Sequence, residues 1–480
     1  MIISQASLVS FPAHYARNSY EASFACVFFK PIFLRLNCVK VMWQDIDCDK
    51  CKKHIQTYNP YFVCPFCKIR FCYDCTFKHK CTKMPEGSDM KMDKYSIEFI
   101  NCTFDTGYKL FYYAPFTSIR FTNCKVLNSC EKMFAHSYVE QIYLDGLDTS
   151  DVTNMRHMFG QCGYIKEIDI NHLNTSNVTT MRGMFKYYGT RADGAHKITL
   201  DKIDTSKVTD MSKMFSGLRC LHHLDVSNFN TSNVVNMYSM FNNCYVHELD
   251  LSRWDVSNVT NMNGMFSCTE ELDEINLGNW NVSNVISMKY MFNGTNLNQL
   301  ELNWNCQNVI SMKEMFTESK LINVKLHLNC PNVSSMEYMF YKCEYLRNAD
   351  IEFELQKPPF HGGEGSFRTQ LKQSSDVCMS MMFYGCKQLE SVKLRFGGSK
   401  LSNLSKMFYE CVNLKLLDIT GLILSHNTDI DQMFYKCRPK ELSFEGITIR
   451  KFDMLEYSFP DIDDFIDYDK LEEDEEETSE

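Results

Sequence analysis

Six cysteines in the first fifth of the chain form three Cys-x-x-Cys pairs, and a histidine and a cysteine follow them closely. The eight residues are Cys48, Cys51, Cys64, Cys67, Cys72, Cys75, His79 and Cys81. Two thiolates separated by two residues can bind one tetrahedral Zn²⁺ from a single tight turn. The spacing therefore predicts two structural zinc sites with four ligands each, and it leaves no open position for zinc catalysis.

A disulfide framework is the alternative use of these cysteines. Residues 1–41 lack the succession of basic, apolar and small residues that marks a secretory signal, and the chain holds 23 cysteines in all. Both features favour a reducing compartment, where such cysteines more often bind metal. We therefore expect two zinc ions and an intracellular protein, with His54 as a reserve ligand.

Segment 48–81 resembles the interleaved zinc modules of the ZZ, DC1, PHD and RING types, with aromatic residues at their core positions, Tyr61 or Phe62 and Phe71. The resemblance implies that alternate ligand pairs share a metal ion. One zinc would be bound by Cys48, Cys51, Cys72 and Cys75, and the second by Cys64, Cys67, His79 and Cys81. The last pair is closer together than in those families, and the histidine of a typical RING is missing.

The dipeptide Met-Phe recurs through the rest of the chain at intervals near 25 residues. A fixed period of about 20–29 residues is typical of a leucine-rich solenoid, in which each unit is buried by its neighbours. The methionines are Met133, Met158, Met184, Met214, Met240, Met265, Met291, Met315, Met339, Met382, Met407 and Met433. We expect this array to form one continuous core.

Residues 221–244 show the pattern of a single unit. The first part predicts a short strand with inward residues at Leu221, Leu224 and Val226. The second part predicts a helix, because one helical face would carry Val234, Met237, Met240 and Phe241. A serine before that face predicts an N-cap in successive units, at Ser150, Ser176, Ser206, Ser232, Ser257 and Ser283. The predicted fold class is therefore α/β, a leucine-rich-repeat solenoid with a small N-terminal zinc-binding domain.

The motif N-T-S-N-V-x-x-M-x-x-M-F followed by C-x-x-L-x-x-L-D resembles the BspA-like leucine-rich repeat family over about residues 125–445. That family is known from bacterial and mycoplasma surface proteins, and the resemblance implies a recognition or adhesion scaffold without catalytic residues. A cysteine three residues after the phenylalanine should be a buried thiol, at Cys162, Cys244, Cys343, Cys386, Cys411 and Cys437.

The predicted domain organisation follows from these motifs and from charge. Residues 461–480 carry 12 Asp and Glu against one Lys, which predicts a disordered tail and accounts for the net charge of −10. The near-neutral remainder does not predict nucleic-acid binding, and no apolar run is long enough for a membrane helix. The segments are 1–41, unassigned; 42–84, zinc module; 85–124, linker and N-terminal cap; 125–445, solenoid with an insertion about 352–376; 446–460, C-terminal cap; and 461–480, acidic tail.

Carboxylates recur beside the middle apolar residue of the predicted strands, where side chains point away from the core. We call this set the acidic stripe: Glu167, Asp169, Asp225, Glu248, Asp250, Glu274 and Glu301. One interpretation is that the aspartates cap a neighbouring turn. The other is a binding surface for basic segments of partner proteins.

No phosphate loop, nucleophile elbow, HExxH helix or glycine-rich dinucleotide fingerprint occurs in the sequence. We therefore expect a non-enzymatic protein–protein interaction scaffold or adaptor. The alternative is a ubiquitin-ligase-like protein in which the zinc module recruits a conjugating enzyme and the repeats select the substrate. A secreted adhesin is a third class, which the many thiols disfavour.

Overall fold

The computed structural model describes residues 96–189, 197–219, 221–355, 377–424, 428–437 and 439–445, with short stretches at 46–47, 54–55, 61–64, 70–72, 83, 89–92 and 448–449. These residues form strands and turns, and none of them lies in a helix. Within this part of the chain there is accordingly no helix that could cross a membrane. The predicted segments 1–41 and 461–480 lie outside the described residues.

Two short antiparallel hairpins lie in the region of the predicted zinc module. β1 (Ile46–Asp47) pairs with β2 (His54–Ile55), and β3 (Tyr61–Val63) pairs with β4 (Arg70–Cys72). In the second hairpin Phe62 lies directly opposite Phe71. Each hairpin therefore encloses one Cys-x-x-Cys pair in sequence.

The remaining strands belong to a solenoid, and we call each of its turns a coil. The strands are β5 (Asp89–Met92), β6 (Ser96–Ile100), β7 (Thr103–Phe104), β8 (Ser118–Thr122), β9 (Cys124–Ser129), β10 (Gln141–Tyr143), β11 (Leu147–Asn154), β12 (Glu167–Asp169), β13 (Lys197–Thr199), β14 (Glu248–Asp250), β15 (Glu274–Asn276), β16 (Gln299–Asn305), β17 (Asn323–Asn329), β18 (Asn348–Glu354), β19 (Val377–Cys378), β20 (Ser391–Asn403), β21 (Leu416–Leu424), β22 (Glu441–Glu445) and β23 (Thr448–Ile449).

Neighbouring coils pair in parallel, with equivalent repeat positions side by side. The largest sheet has the order β16-β17-β18-β20-β21-β22, and Glu248 of β14 lies beside Glu274 of β15. The only antiparallel pair in the described solenoid is β5 with β6. The segment 85–124, for which a linker and cap are predicted, contains this pair and the parallel pairing of β6 with β8.

The predicted helix in each repeat is wrong for the described residues, and with it the α/β class. The backbone N–H groups of Met237, Ser239 and Phe241 donate to carbonyls of the next coil at 2.9–3.0 Å. The N–H of Met240 instead donates to the carbonyl of Met237 at 3.2 Å and closes a tight turn. An α-helix would use donors and acceptors four residues apart within the same segment. The apolar segment is therefore a ladder between coils, interleaved with turns.

This ladder requires two residues with positive φ in each coil, one two positions before the phenylalanine and one two positions after it. In the coil around Phe241 they are Ser239 (φ 53°) and Asn243 (φ 57°). A residue with positive φ cannot be part of a right-handed helix, so two such residues in each coil interrupt any helix there. The sequence carried a signal for them, since glycine stands at one of the two positions in several coils: Gly183, Gly217, Gly264, Gly294 and Gly385.

The prediction of a Met-Phe core is confirmed. Each phenylalanine ring packs on the ring of the next coil, with centroids 5.0–5.8 Å apart and planes within 17°. We call this row the Phe ladder: Phe111, Phe134, Phe159, Phe185, Phe215, Phe241, Phe266, Phe292, Phe316, Phe340, Phe383, Phe408 and Phe434. One row of rings therefore runs through all the coils that the structure describes.

The cysteines predicted to be buried thiols are buried in the structure. The Sγ atoms of Cys162 and Cys343 each donate to the backbone carbonyl of a phenylalanine in the preceding coil at 3.0 Å. Burial raises the pKa of both thiols to about 12. They are packing residues, because a thiol that stays protonated at neutral pH is a poor nucleophile.

Candidate functional site

The structure describes only two of the eight predicted zinc ligands. Cys64 follows β3 and is fully buried, and Cys72 ends β4. The others lie outside the described residues: Cys48, Cys51, Cys67, Cys75, His79 and Cys81. Among the residues that are described, no group of three or more side chains could hold a metal ion. The two zinc sites therefore stay a prediction.

All seven residues of the acidic stripe are exposed on the strand side of the solenoid. The stripe is interrupted, however, by a coil that the sequence analysis did not include. β13 pairs in register with β12, so that Lys197 lies beside Glu167 and Thr199 beside Asp169. The irregular spacing of this repeat concealed its strand. Glu167 and Asp169 are consequently separated from the remaining carboxylates.

The central part of the stripe surrounds a shallow depression of about 350 Å³. We call it the acidic depression, and it is lined by His223, Leu224, Asp225, Val226, Glu248, Leu249, Asp250, Glu274, Ile275 and Asn276. The Nδ1 atom of His223 lies 3.6 Å from the Glu248 carboxylate, and Arg253 acts electrostatically on Asp225 and Asp250. Three consecutive coils therefore contribute carboxylates to one concave surface.

The aspartates of the stripe cap turns, as the first interpretation predicted. The backbone N–H of Ser227 donates to Asp225 at 2.9 Å, and that of Ser252 donates to Asp250 at 3.1 Å. Asp169 accepts the N–H of Asn171 in the same way at 2.9 Å. These hydrogen bonds explain why aspartate recurs at this strand position.

The glutamates of the depression have no such structural role. Within the described part of the chain, Glu248 and Glu274 form no ion pair with Lys or Arg. Further along the solenoid, charges two residues later in the strand are paired, as in Glu301 with Lys325 at 2.7 Å and Asp350 with Arg395 at 2.6 Å. Glu248 and Glu274 therefore remain available to a ligand in the acidic depression.

The repeated serines are not helix N-caps, and this prediction is wrong. The backbone N–H of Ser206 donates to Asp204 at 2.9 Å, and that of Ser232 donates to Asn230 at 3.1 Å. The serine therefore closes an Asx turn in which the acidic or amide residue two positions earlier is the acceptor. The asparagine after the serine links the coils, since Asn233 Nδ2 donates to the Ser206 carbonyl at 2.7 Å.

Asx turns with an aspartate should make the solenoid sensitive to acid. The hydroxyl and backbone N–H of Ser206 lower the pKa of Asp204, and those of Ser257 lower the pKa of Asp255. A carboxylate with a lowered folded-state pKa stabilises the fold above its unfolded pKa of about 3.9, and this contribution is lost as the pH falls through the folded pKa.

The melting temperature of the double variant Asp204→Asn and Asp255→Asn is therefore expected to fall less than that of the wild type between pH 5 and pH 2.5. At pH 7 the two melting temperatures should differ little. Asparagine already forms the same turn at Asn174, Asn230 and Asn281, where the acceptor distances are 3.1–3.2 Å. Thermal scans across this pH range measure the effect. Glu318→Gln with Glu441→Gln is the control, and an equal acid response in both variants would contradict the prediction.

The parallel coils, the Phe ladder and the exposed strand side define a repeat protein with a parallel β-solenoid fold. A family model described as "Mycoplasma protein of unknown function, DUF285" matches residues 110–192, 187–299, 269–358 and 366–467. These matches span most of the chain, and the chain belongs to this family. The match agrees with the resemblance to BspA-like repeats.

Three solved structures are similar to this chain. A leucine-rich repeat protein from Bacteroides ovatus has 13% identity over 65% of this chain and 86% of its own, with a TM-score of 0.31. One from Eubacterium ventriosum has 12% identity over 77% and 95%, with a TM-score of 0.34. A leucine rich cell surface protein from Faecalibacterium prausnitzii has 12% identity over 74% and 98%, with a TM-score of 0.22. No curated protein matches the chain.

Proposed function

We propose that this chain is a non-enzymatic protein–protein interaction scaffold whose acidic depression binds a basic segment of a partner protein. The observation that carries the proposal is the position of Glu248 and Glu274. They lie side by side on paired strands, they are exposed, and no lysine or arginine described in the structure forms an ion pair with either of them.

The geometry suits an extended basic peptide. Adjacent coils place equivalent side chains about 4.8 Å apart, so one lysine or arginine side chain can contact carboxylates from two coils. Ile275 lines the same depression, is partly exposed and provides apolar surface for the aliphatic part of such a side chain. The charges would also raise the association rate, and salt would reduce it.

The two zinc sites are part of the proposal as a structural module that precedes the solenoid. Each described hairpin encloses one Cys-x-x-Cys pair, and a short hairpin of this kind brings two thiolates towards one metal ion. Cys64 is fully buried, as a closed structural site requires. Zinc would supply folding free energy there and no catalysis. The comparisons do not support the ubiquitin-ligase alternative.

The double variant Glu248→Lys and Glu274→Lys tests the binding surface. A fluorescent lysine- and arginine-rich peptide is expected to bind the wild type and to bind the variant at least about tenfold more weakly, because two attractive charges become repulsive. Fluorescence anisotropy measures the affinity, and thermal scans are expected to show an unchanged melting temperature.

Glu318→Lys with Glu441→Lys is the matched control, since both glutamates are exposed and lie outside the depression. This control makes the same change in net charge and should keep the wild-type affinity. Equal affinity in the wild type and the test variant would place recognition elsewhere, with the inserted segment near Pro358 as the next candidate.

A further inference from the structure

The turn side of the first coils carries a cluster of cations, none of which lines the acidic depression. We call this cluster the basic patch: Lys132, Arg156, Arg182, Lys186 and Lys213. Arg156 and Arg182 occupy the same repeat position in adjacent coils, because the N–H of His157 donates to the Arg182 carbonyl at 2.9 Å. The patch therefore gathers charges from four coils that are about 25 residues apart in sequence.

Among the described residues these charges have few anionic partners. The Nε atoms of Arg156 and Arg182 are buried and make no hydrogen bond to the described residues. The nearest carboxylate contact recorded for the patch joins Lys132 to Glu131 at 4.0 Å. Burial and then the charges of Lys186, Lys132, Arg156 and Arg182 lower the pKa of His157 to about 4. The patch is thus strongly positive.

The same side of later coils is different. Lys313 stands at the repeat position of Arg182 and lies 3.3 Å from the Glu337 carboxylate of the next coil. Lys436 is paired with Glu410 at 2.9 Å. Some cations of later coils are therefore paired within the solenoid, whereas the first coils gather five cations on one surface, which indicates that the basic patch has an anionic ligand.

We propose that the basic patch binds the carboxylate-rich segment 461–480 of the same chain. This segment carries 12 Asp and Glu, including the run from Glu472 to Glu477. Carboxylates hydrogen-bond well to guanidinium groups, and the buried Nε atoms of Arg156 and Arg182 are the donors that need an acceptor. The charge of the segment is opposite in sign to that of the patch and exceeds it in number.

The chain is long enough for this contact. Nine coil steps separate the coil of Phe434 from that of Phe185, which corresponds to about 45 Å at a spacing of about 4.8 Å. The 22 residues from 450 to 471, which follow β23, can span about 73 Å when extended. Because both partners belong to one chain, the effective concentration of the acidic segment at the patch reaches the millimolar range.

Zero-length carbodiimide coupling of the full chain tests the contact, because it joins a lysine amine to a carboxylate only where the two groups touch. Peptide mass spectrometry of the monomer is expected to show Lys132, Lys186 or Lys213 joined to the run from Glu472 to Glu477. The yield should fall at least about tenfold in Arg156→Glu with Arg182→Glu, and also in the wild type at 500 mM salt. The measurement at 500 mM salt uses the wild type, so it does not depend on how the variant folds.

Lys289→Glu with Lys313→Glu is the matched control, because these lysines occupy the repeat position of Arg156 and Arg182 in later coils. It should keep the wild-type yield. Coupling of the acidic segment to Lys289 or Lys313 as often as to the patch, or coupling only between chains, would overturn the proposal.

A second measurement asks whether the acidic segment covers the patch. The chain with glutamine at positions 472, 473, 475, 476 and 477 should bind a labelled 20-nucleotide single-stranded DNA probe at least about fivefold more tightly than the wild type at low salt. Equal binding would show that the patch is uncovered in the wild type and would favour a nucleic acid as its ligand.

Discussion

Phe241→Ala is expected to lower the free energy of unfolding by about 3–5 kcal/mol. The ring is fully buried and packs between Phe215 and Phe266, with centroid distances of 5.7 Å on both sides. Removing it leaves a cavity between two coils, and neighbouring coils cannot move together to fill it because the backbone ladder fixes their spacing. Urea unfolding followed by circular dichroism measures the loss.

Phe434→Ala is the matched control at the other end of the described ladder. Its ring packs on Phe408 at 5.4 Å, and its coil is the last one of the described Phe ladder. The expected loss is smaller, because a terminal coil can rearrange or open without disturbing the rest of the solenoid. Equal and small losses in the two variants would contradict a continuous interior ladder.

The purified chain is expected to hold two zinc ions, and a chelator should unfold the segment around the predicted ligands while the solenoid remains folded. Binding at a structural zinc site supplies on the order of 10–16 kcal/mol, and so short a segment has little apolar surface to replace it. Elemental analysis counts the ions, and hydrogen exchange after chelation locates the unfolded residues.

Cys64→Ser and Cys72→Ser should each remove one zinc, because the implied pairing assigns them to different sites. Cys162→Ser is the control, since this cysteine is a buried thiol of the solenoid, and it should keep both ions. One zinc in the wild type would remove the second site, and His79 and Cys81 would then be the first ligands to reject. If the wild type held no zinc, this result would favour the disulfide alternative for these cysteines.

The period of the fold could be predicted from the sequence, but the conformation within each period could not. A methionine or phenylalanine at every coil must be buried by its neighbours, so their spacing gives the repeat directly. The pattern of Val234, Met237, Met240 and Phe241 also fits one face of a helix, and nothing in the apolar residues distinguishes a helix from turns. The decision depends on hydrogen bonds to the next coil, which involve residues about 25 positions away.

The candidate surfaces could likewise be predicted only in part from the sequence. Outward strand residues such as Glu248 and Glu274 follow from alternation along a strand, so the acidic stripe could be predicted. Its interruption by Lys197 could not, because that repeat has an irregular spacing. The basic patch was not predicted either. Its cations occupy three different repeat positions, and only the packing of the coils shows that Arg156, Arg182 and Lys186 are neighbours.

The antiparallel pairing of β5 with β6 has a consequence for growth of the molecule into fibres. A parallel solenoid has an open edge at each end, and such an edge can pair with a second chain and begin end-to-end polymerisation. β5 lies at the edge of its sheet and runs opposite to every coil strand described after it. A coil of a second chain would meet a strand of the wrong direction there. In this sheet the N-terminal edge therefore does not offer the parallel template on which a filament would extend.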